Sequence, residues 1–362
     1  MRICDFKIFR YQLPLVRALT VRGRHLSKRE GFIIKLSDEH GNTGYGETAP
    51  LPGASLEMPD AVLSQLQDLR SQLMGQTVPA NIEHLNGKFS AWLQNTPLAP
   101  SVRFGIETAV LSLKASHVHK PLAELIDADY QTDLTVNGLL QGPREVVLKE
   151  AQDMLNAGYH AIKFKIGGTD VRADIETVNT LASLIAGRAL LRLDANKAWD
   201  FDQALQFSKE VNYGAIEYIE EPLKDFSKMP ELYAETTIPL AVDESLKEHS
   251  LKEIKSLDGI EVIILKPTLV GGFEKVGQLA AEAKSYGIRA VISSSFESGI
   301  GIRALANLAA CFSHHAAAGL DTVRWFERDT VSPALHLEHG RIQIEQCQLH
   351  GLHLAADVIH EV

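Results

Sequence analysis

Short apolar runs that end on a polar or charged residue recur along the middle of the chain. Six of them are Ile162–Lys165, Leu190–Asp194, Tyr218–Glu220, Leu240–Asp243, Val262–Lys266 and Ala290–Ser293. Their last residues are 23 to 29 positions apart, which is room for one strand, one helix and two loops. Leu134–Asn137 and Leu320–Val323 extend the same spacing at either end. The pattern predicts an α/β fold with eight parallel strands, the number that closes a barrel.

The first 125 residues carry a different pattern. Strand-like alternation covers Phe6–Val16 and Phe32–Ser37, with a hairpin turn predicted at 38–42 before Thr43–Glu47. Helical periodicity covers Met58–Met74 and Ser101–Ser116. We therefore predict an α+β domain over 1–125, a barrel over 126–325 and a tail over 326–362. The tail, with a hairpin at His336–Gln348, should return to the first domain, because a closed barrel offers no free edge.

Composition and charge narrow the class of protein. The chain has 362 residues, of which 45% are hydrophobic and 23% charged, as in ordinary globular proteins. A net charge of −10 argues against a nucleic-acid partner. Charged residues interrupt Met1–Leu15, and no apolar stretch is long enough to span a bilayer, which predicts a cytoplasmic protein without a membrane partner. Cys4, Cys311 and Cys347 are far apart and are predicted to be reduced, buried thiols.

Three carboxylates end successive predicted strands. Asp194, Glu220 and Asp243 end the third, fourth and fifth strands, which are neighbours in the ring. Three carboxylates in one arc would repel one another unless a cation joined them, and hard oxygen donors favour Mg²⁺, with Mn²⁺ as the second choice. We therefore predict a metal site; the alternative is three unrelated, solvent-exposed acids.

Two lysines face this arc from opposite sides of the ring. Lys165 ends the second strand and Lys266 the sixth. Lys163 shares a face with Lys165, and its charge together with the metal would depress the pKa of Lys165 towards that of a working base. Proton removal from a carbon beside a carboxylate gives an enolate dianion, which a metal and a second cation would stabilise. The sequence thus predicts an enzyme acting on a small carboxylate.

Several further residues are candidates for supporting roles. Arg192 shares the inward face with Asp194 and is predicted to orient it, and Lys163 is predicted to contact the substrate. Ordinary charge balancing explains Arg192 and Lys163 equally well. The segment from Ser293 to Gly301 follows the seventh strand. Its hydroxyls and glycine N–H groups at a helix start are predicted to bind an anionic group of the substrate; they include Ser293, Ser294, Ser295 and Gly299.

Five basic residues lie close together near the start of the chain: Arg17, Arg22, Arg24, Lys28 and Arg29. Few apolar residues anchor this stretch. It is either a solvated loop or a flexible lid that closes over an anionic substrate, with Arg22 and Arg24 as the lid residues.

As a set, the strand-end motifs resemble those of the enolase superfamily, in the subgroup of muconate-lactonizing enzymes. The similar motifs are Lys163-Phe164-Lys165, Leu193-Asp194-Ala195-Asn196, Glu220-Glu221-Pro222, Asp243-Glu244-Ser245 and Lys266-Pro267-Thr268, with Gly44-Tyr45-Gly46-Glu47 and Pro50-Leu51-Pro52-Gly53 in the N-terminal region. The resemblance implies a barrel of the modified TIM type with an α+β capping domain built from the N-terminal region and the C-terminal tail. It also implies Mg²⁺ ligation by the three carboxylates, Lys165 as base and then acid, and Lys266 as the opposing cation. Asn196 would then contact the substrate, and Glu244 would support the metal ligands.

Within the subgroup, three segments are most similar to the o-succinylbenzoate synthase family: Leu191–Asn196, Lys266–Leu269 and Ser293–Ser298. This implies a hydro-lyase of menaquinone biosynthesis that dehydrates 2-succinyl-6-hydroxy-2,4-cyclohexadiene-1-carboxylate to 2-succinylbenzoate through an enolate. Many racemases of the subgroup carry Gln where this chain has Glu221, which favours the synthase. The alternatives are a dipeptide epimerase or N-acylamino acid racemase of the same superfamily, a Schiff-base aldolase barrel and a non-catalytic barrel that binds small anions.

Overall fold

The computed structural model describes residues 1–168, 170–313 and 316–362. Two large sheets form the framework of the fold. The first is antiparallel and four-stranded, in the order β15-β1-β2-β3. Its strands are β1 (Ile3–Val21), β2 (Arg24–Asp38), β3 (Thr43–Thr48) and β15 (Ile359–Glu361). The N-terminal strands and the turn at 38–42 are confirmed, and the last strand of the chain pairs with β1, Phe9 opposite Glu361.

Helices cover one face of this sheet. They are α1 (Pro59–Leu73), α2 (Lys88–Trp92), α3 (Pro100–Val118) and α4 (Leu122–Ile126), so both predicted helices are confirmed. The backbone of α3 lies almost on β3, and a Cβ on Gly46 would come within 2.0 Å of the Gly105 carbonyl oxygen. Glycine at position 46 therefore allows the helix and the sheet to approach closely.

The second sheet is parallel, with seven strands that follow one another in chain order. They are β5 (Gly138–Leu140), β6 (Ala161–Lys165), β7 (Leu190–Asp194), β8 (Ile216–Glu220), β9 (Leu240–Val242), β10 (Ile260–Leu265) and β11 (Arg289–Ile292). The helices of this part are α5 (Arg144–Asn156), α6 (Val171–Ile185), α7 (Phe201–Glu210), α8 (Met229–Thr236), α9 (Leu251–Lys255), α10 (Pro267–Val270), α11 (Gly272–Ser285) and α12 (Gly299–Phe312). All six apolar runs first identified in the sequence correspond to strands, with bounds that differ by at most a few residues.

The two terminal runs of that pattern were predicted wrongly. Leu134–Asn137 is not the first parallel strand, because β4 (Asp133–Thr135) pairs antiparallel with β13 (Arg341–Gln343) and the parallel sheet begins with β5. Leu320–Val323 does not form the eighth strand. Asp321 accepts a hydrogen bond from Arg324 Nε at 2.7 Å, within a turn that leads into a 3₁₀ helix. Two residues just before it, Ala318 and Gly319, instead bridge to Val136 and Ser293 beside the two edge strands.

The tail, residues 326–362, contains only short elements of secondary structure. Besides β13 it forms β12 (Val331–Ser332) and β14 (His353–Leu354), which pair with each other. The hairpin predicted over His336–Gln348 is reduced to one bridge between Glu338 and Arg341 around Gly340, and residues 344–347 form a 3₁₀ helix instead of a second strand.

The cysteines differ in exposure. Cys311 and Cys347 are buried free thiols, but Cys4 is exposed, so the prediction of burial fails for Cys4. In the part of the chain that the structure describes, no helix is long and apolar enough to cross a membrane.

Candidate active site

A cavity of about 220 Å³ lies at the carboxyl ends of the parallel strands. Its strand-end lining includes Lys163, Lys165, Asp194, Asn196, Asp243, Lys266, Ser293, Ser294 and Ser295. The end of the β1–β2 hairpin and the loop with Leu51 and Ala54 form its other side. The candidate catalytic residues of five different strands therefore meet in one space, at the end of the sheet where parallel α/β folds place their active sites.

Two of the predicted metal ligands share one lysine. Asp194 and Glu220 are neighbours in register on β7 and β8, and both are almost fully buried. Lys163 Nζ donates to the two Glu220 carboxylate oxygens at 2.8 and 2.7 Å and lies 2.9 Å from Asp194 Oδ2. A positive charge thus lies between the two carboxylates, where it offsets their repulsion. Asp243, after β9, forms an ion pair with Lys266.

The pKa values follow from burial and from these pairs. Burial, reinforced by the charge of Asp194, raises the pKa of Glu220 to about 8. Burial acts in the same direction on Asp194, but Lys163 and Lys165 outweigh it and hold the pKa of Asp194 well below its usual range. Burial would lower the pKa of Lys266, yet the Asp243 carboxylate raises it. The ion pair with Asp243 thus favours the charged form of Lys266.

The carboxylates fit a hard divalent cation by their chemistry. Three adjacent strand ends supply carboxylate oxygens, and a positive group already lies between two of them. Within residues 1–168, 170–313 and 316–362 no three His, Cys, Asp or Glu side chains are gathered closely enough to ligate one ion. The carboxylates are instead bonded to Lys163 and Lys266.

Lys165 is held by a polar neighbour on the next strand end. Its Nζ donates to Asn196 Oδ1 at 2.7 Å and to Asp194 Oδ2 at 3.3 Å. Asn196 Nδ2 in turn donates to Glu244 Oε1 at 3.4 Å. Asn196 has a left-handed backbone, with φ of 46°, which asparagine tolerates better than most residues. Lys165, Asn196 and Glu244 thus form one hydrogen-bonded row along the cavity wall.

Glu221 supports the site through the residues that follow β9. The sequence singled it out only because many racemases have Gln at this position. Its carboxylate accepts hydrogen bonds from Asp243 N at 2.8 Å, Ser245 N at 2.7 Å and Ser245 Oγ at 2.8 Å. These bonds fix the chain that leaves β9 and with it the direction of Asp243. A carboxylate is needed here because all three contacting atoms are donors.

Arg192 does not orient Asp194, contrary to the prediction. Its guanidinium bonds Glu217 Oε2 at 2.7 Å, Asn137 Oδ1 at 3.0 Å and the Ala317 carbonyl at 2.5 Å. It balances Glu217, and across the described residues it forms no hydrogen bond or ion pair with Asp194. Arg192 therefore balances a charge, as the alternative explanation proposed. The acid that it balances is Glu217 and not one of the carboxylates at the strand ends.

The predicted anion site at the start of α12 is filled by the protein's own carboxylates. Gly299 N donates to Asp329 Oδ1 at 2.8 Å, and Gly301 N donates to Glu47 Oε2 at 2.8 Å. Buried N–H groups at a helix start need acceptors, and here distant side chains supply them. Gly299 N is therefore already bonded within the protein, and Gly299 is not part of the cavity lining, so its contact with a substrate stays a prediction.

Two of the three serines before α12 make hydrogen bonds to the Glu297 carboxylate, and all three line the cavity. Ser294 Oγ donates to Glu297 at 2.7 Å, and Ser295 N donates to the same carboxylate at 2.6 Å. Ser293, Ser294 and Ser295 all line the cavity, so contact with a substrate stays a prediction for the three of them.

The basic stretch from Arg17 to Arg29 is not a loop but the far end of the β1–β2 hairpin, with a turn at Arg22 and Gly23. Arg29 is buried and donates to backbone carbonyls, among them Phe296 O at 3.1 Å and Pro50 O at 2.9 Å. Arg22 lines the cavity, whereas Arg24 is exposed and is not part of the lining. The lid function of Arg22 and Arg24 stays a prediction.

Sequence reasoning gave no site role to several polar or aromatic residues of the lining, among them Lys247, Phe296 and Asp321. Lys247 ends the 3₁₀ helix Glu244–Lys247 that follows Asp243, and the neighbouring Asp-Glu-Ser motif was the available signal. Asp321 is buried, and burial raises its pKa to about 6 against the opposing charge of Arg324. Phe296 lies within the Ser293–Ser298 segment that the sequence singled out, but no role was assigned to it. Asp321 belongs to the run Leu320–Val323, which was predicted as a strand and forms a turn instead.

The sheet with charged strand ends and the antiparallel sheet beside it define an enolase-like enzyme. A family model for the enolase C-terminal domain-like family matches residues 146–357, and one for the MenC N-terminal domain matches residues 3–113. The chain is 34% identical over 340 residues to o-succinylbenzoate synthase of Aliivibrio salmonicida, covering 92% of this chain and 94% of that protein. It is also 34% identical to o-succinylbenzoate synthase of Citrobacter koseri, over 90% and 92% of the two chains.

Solved structures agree on the fold. Muconate lactonizing enzyme of Pseudomonas fluorescens superposes with a TM-score of 0.86 at 22% identity, over 98% of this chain and 97% of that one. Dipeptide epimerase of Enterococcus faecalis gives 0.86 at 22% identity, over 97% and 99%. The chain belongs to the enolase superfamily and, within it, to the o-succinylbenzoate synthase family.

Proposed function

We propose that the chain dehydrates 2-succinyl-6-hydroxy-2,4-cyclohexadiene-1-carboxylate to 2-succinylbenzoate, the hydro-lyase step of menaquinone biosynthesis. The observation that carries the proposal is the meeting of Lys165 and Lys266 at one cavity with Asp194 and Asp243, in a chain 34% identical to o-succinylbenzoate synthases over about nine tenths of its length. The cytoplasmic location expected from the sequence belongs to this proposal.

The proposed metal ligands are Asp194, Glu220 and Asp243, with Mg²⁺ as the ion and Mn²⁺ as a possible replacement. The structures of dipeptide epimerases from Enterococcus faecalis and Methylococcus capsulatus, which share the fold, were solved as complexes with Mg. When bound, the ion would stabilise negative charge developing on the carboxylate oxygens of the substrate. Lys163 complements these acids and lowers their mutual repulsion.

Lys165 performs the proton transfers in this proposal. As a neutral amine, its Nζ takes the proton from the carbon that bears the carboxylate. The resulting ammonium then protonates the departing hydroxyl, which leaves as water, so the lysine is restored at the end of the cycle. Asn196 supports this role, because its Oδ1 holds Nζ at 2.7 Å on the cavity side of β6.

Lys266 acts as a fixed positive charge. Its pKa is raised by Asp243 despite burial, so it stays protonated and is a poor acceptor for a second proton. A permanent cation stabilises an enolate without taking part in proton transfer. In this proposal only Lys165 moves protons, as dehydration on one face requires, whereas in an epimerase both lysines must exchange protons.

We also propose that residues 1–125 and the tail 326–362 form a capping domain over a barrel at 126–325. The pairing of β15 with β1 supports the return of the tail. Hydrogen bonds of Ala318 N to Thr135 O at 2.8 Å and of Gly319 N to Ile292 O at 2.9 Å support a barrel of the modified TIM type, closed by two residues instead of a full strand.

The test is the absorbance change on supplying the cyclohexadiene substrate with Mg²⁺, because aromatisation alters the chromophore. We expect rapid turnover that exhaustive chelation removes and added Mg²⁺ restores. No turnover of this substrate, together with solvent deuterium entering the α-carbon of a dipeptide or N-acylamino acid, would replace the proposal with an epimerase or racemase. Trapping of a lysine adduct by borohydride would instead indicate a Schiff-base enzyme.

A further inference from the structure

Two cations line the cavity without belonging to the strand-end cluster of lysines and acids. Arg22 stands at the tip of the β1–β2 hairpin, and Lys247 ends the 3₁₀ helix after β9. They come from opposite sides of the cavity entrance, one from the antiparallel sheet and one from the parallel sheet. Neither has a part in the proton chemistry described above.

Lys247 has no acidic partner. Its Nζ donates to the Ala54 carbonyl at 3.1 Å, and across the described residues no carboxylate oxygen lies within the 4.0 Å of an ion pair. Burial lowers the pKa of Lys247, and the positive charge of Arg22 lowers it further. Both cations line the same cavity, so they repel each other, and an anion placed between them would relieve that repulsion.

Arg22 is only loosely held. Its guanidinium lies 3.5 Å from Glu244 Oε1, and half of its side chain is exposed. A guanidinium has five N–H donors in a planar fork that matches a carboxylate, so donors remain available. The backbone φ values of 45° at Arg22 and 77° at Gly23 form a tight turn, which holds the arginine at the cavity entrance.

We propose that Arg22 and Lys247 bind the second carboxylate of the substrate, the one at the end of the succinyl side chain. The inference rests on the proposed function, since that substrate carries one carboxylate on the ring and a second one at the end of the succinyl chain. The carboxylate next to the reacting carbon must lie near Lys165. The second one is at the end of a flexible chain and needs a separate cationic site, and apolar residues such as Leu19, Leu51 and Phe296 line the cavity for the ring and methylene groups.

A carboxylate bound by Arg22 and Lys247 would also connect the β1–β2 hairpin with the 3₁₀ helix after β9. Lys247 already contacts the Ala54 carbonyl of the loop beside the hairpin, and Arg22 reaches Glu244 of the 3₁₀ helix. A carboxylate bonded to both cations would add a third connection between the same elements. The pair therefore selects dicarboxylates over substrates with one carboxylate.

The test compares Arg22→Gln, Lys247→Gln and the double variant with the wild type, using the diacid and its methyl ester at the succinyl carboxylate. We expect each single variant to raise KM for the diacid about tenfold and the double variant about 100-fold, with kcat changed less than about threefold. KM for the ester should hardly change, so the wild type's preference for the diacid should disappear in the double variant. Lys28→Gln is the matched control, because Lys28 is an exposed hairpin lysine paired with Glu30 at 2.7 Å and lies outside the cavity lining.

The outcomes separate failure of the proposed carboxylate site from failure of the proposed function. Unchanged KM for the diacid in both variants, or an equal loss on diacid and ester, overturns the inference while leaving wild-type dehydration intact. Lack of dehydration by the wild type would overturn the proposed function itself. Direct binding of 2-succinylbenzoate by calorimetry, with thermal denaturation of each variant, decides the matter if a variant is unstable: a folded variant that binds product as tightly as the wild type contradicts the proposed site.

Discussion

Glu47 of β3 and Ser298 join the antiparallel sheet to the start of helix α12 through one buried carboxylate. Ser298 donates its backbone N–H to Glu47 Oε1 at 2.8 Å and its Oγ to Oε2 at 2.6 Å. Tyr11 Oη and Gly301 N complete the set of donors at 2.6 and 2.8 Å. The start of α12, which the sequence suggested for substrate binding, is therefore a structural junction.

Removing this carboxylate should destabilise the fold. In Glu47→Gln an amide nitrogen would face donors, and in Glu47→Ala four donors would lose their acceptor. We expect the free energy of unfolding to fall by about 3 kcal/mol or more in either variant, measured by urea denaturation. The control is Glu176→Gln, since Glu176 is 70% exposed and should change the value by less than about 0.5 kcal/mol. Equal effects of the two glutamine variants would contradict the junction.

Arg29 should be a second structural anchor, and one that also shapes the cavity. It holds the carbonyl of Phe296 at 3.1 Å, and Phe296, a cavity residue, has an unfavourable φ of 62°. Lysine cannot replace the several directed N–H bonds of the guanidinium. We expect Arg29→Lys to lose about 2 kcal/mol of stability and to raise KM, as measured by thermal denaturation and steady-state kinetics. Lys28→Arg, at the exposed neighbouring position, should change neither quantity.

The candidate site was predictable where it depends on strand ends. A buried strand that stops on a charged residue places that residue at one edge of the sheet, so Lys165, Asp194 and Lys266 could be assigned from alternation and spacing alone. The long-range contacts around these strand ends could not be predicted from the sequence. Glu47 reaches Ser298 across 251 positions of sequence, and no local pattern reports such a contact.

Arg192 and the eighth strand show two further limits. Residues i and i+2 share a face, but the long side chain of Arg192 ends at Glu217. Ala318 and Gly319 form only isolated bridges beside the edge strands, and two backbone residues produce no recognisable hydrophobic run. Spacing therefore predicted the six strands from β6 to β11, whereas both terminal runs were misplaced.

Glu107 should give the stability of the fold a measurable pH dependence. Burial raises its pKa from 4.5 to about 7, although Arg103 opposes the shift. A carboxyl that binds its proton more tightly in the folded chain stabilises it fully below about pH 4.5, and that contribution is lost as pH rises through about 7. Between pH 4.5 and 8 the wild type should therefore lose about 3 kcal/mol relative to Glu107→Gln. A constant difference between the two proteins across urea titrations in this range would show that Glu107 is ionised throughout.

Asp243→Asn tests the metal assignment. Loss of one carboxylate should weaken Mg²⁺ binding and reduce turnover by about 100-fold or more, with the fold intact, because the strand ends are not the core. The measurement is the Mg²⁺ concentration that gives half-maximal activity, together with the circular dichroism spectrum. Full activity of this variant, or of the wild type after exhaustive chelation, would remove the metal from the mechanism.

The two lysines should respond differently to replacement by arginine, and this separates dehydration from racemisation. Arginine keeps the positive charge but is a very poor base at neutral pH. Lys165→Arg should therefore lose at least about 1,000-fold in kcat, as expected when a general base is removed. Lys266→Arg should retain a measurable fraction of activity, since Lys266 is already charged through its pair with Asp243 and needs only to supply that charge.

Lys266→Ala is the control for the last comparison, because it removes the charge as well as the amine and should be far less active than Lys266→Arg. All variants are assayed by the absorbance change of aromatisation, at saturating substrate. If Lys266→Arg is as inactive as Lys165→Arg, charge alone does not explain the role of Lys266. If, in addition, solvent deuterium enters both enantiomers of an amino-acid substrate with the wild type, each lysine exchanges a proton on its own face and the racemase mechanism applies.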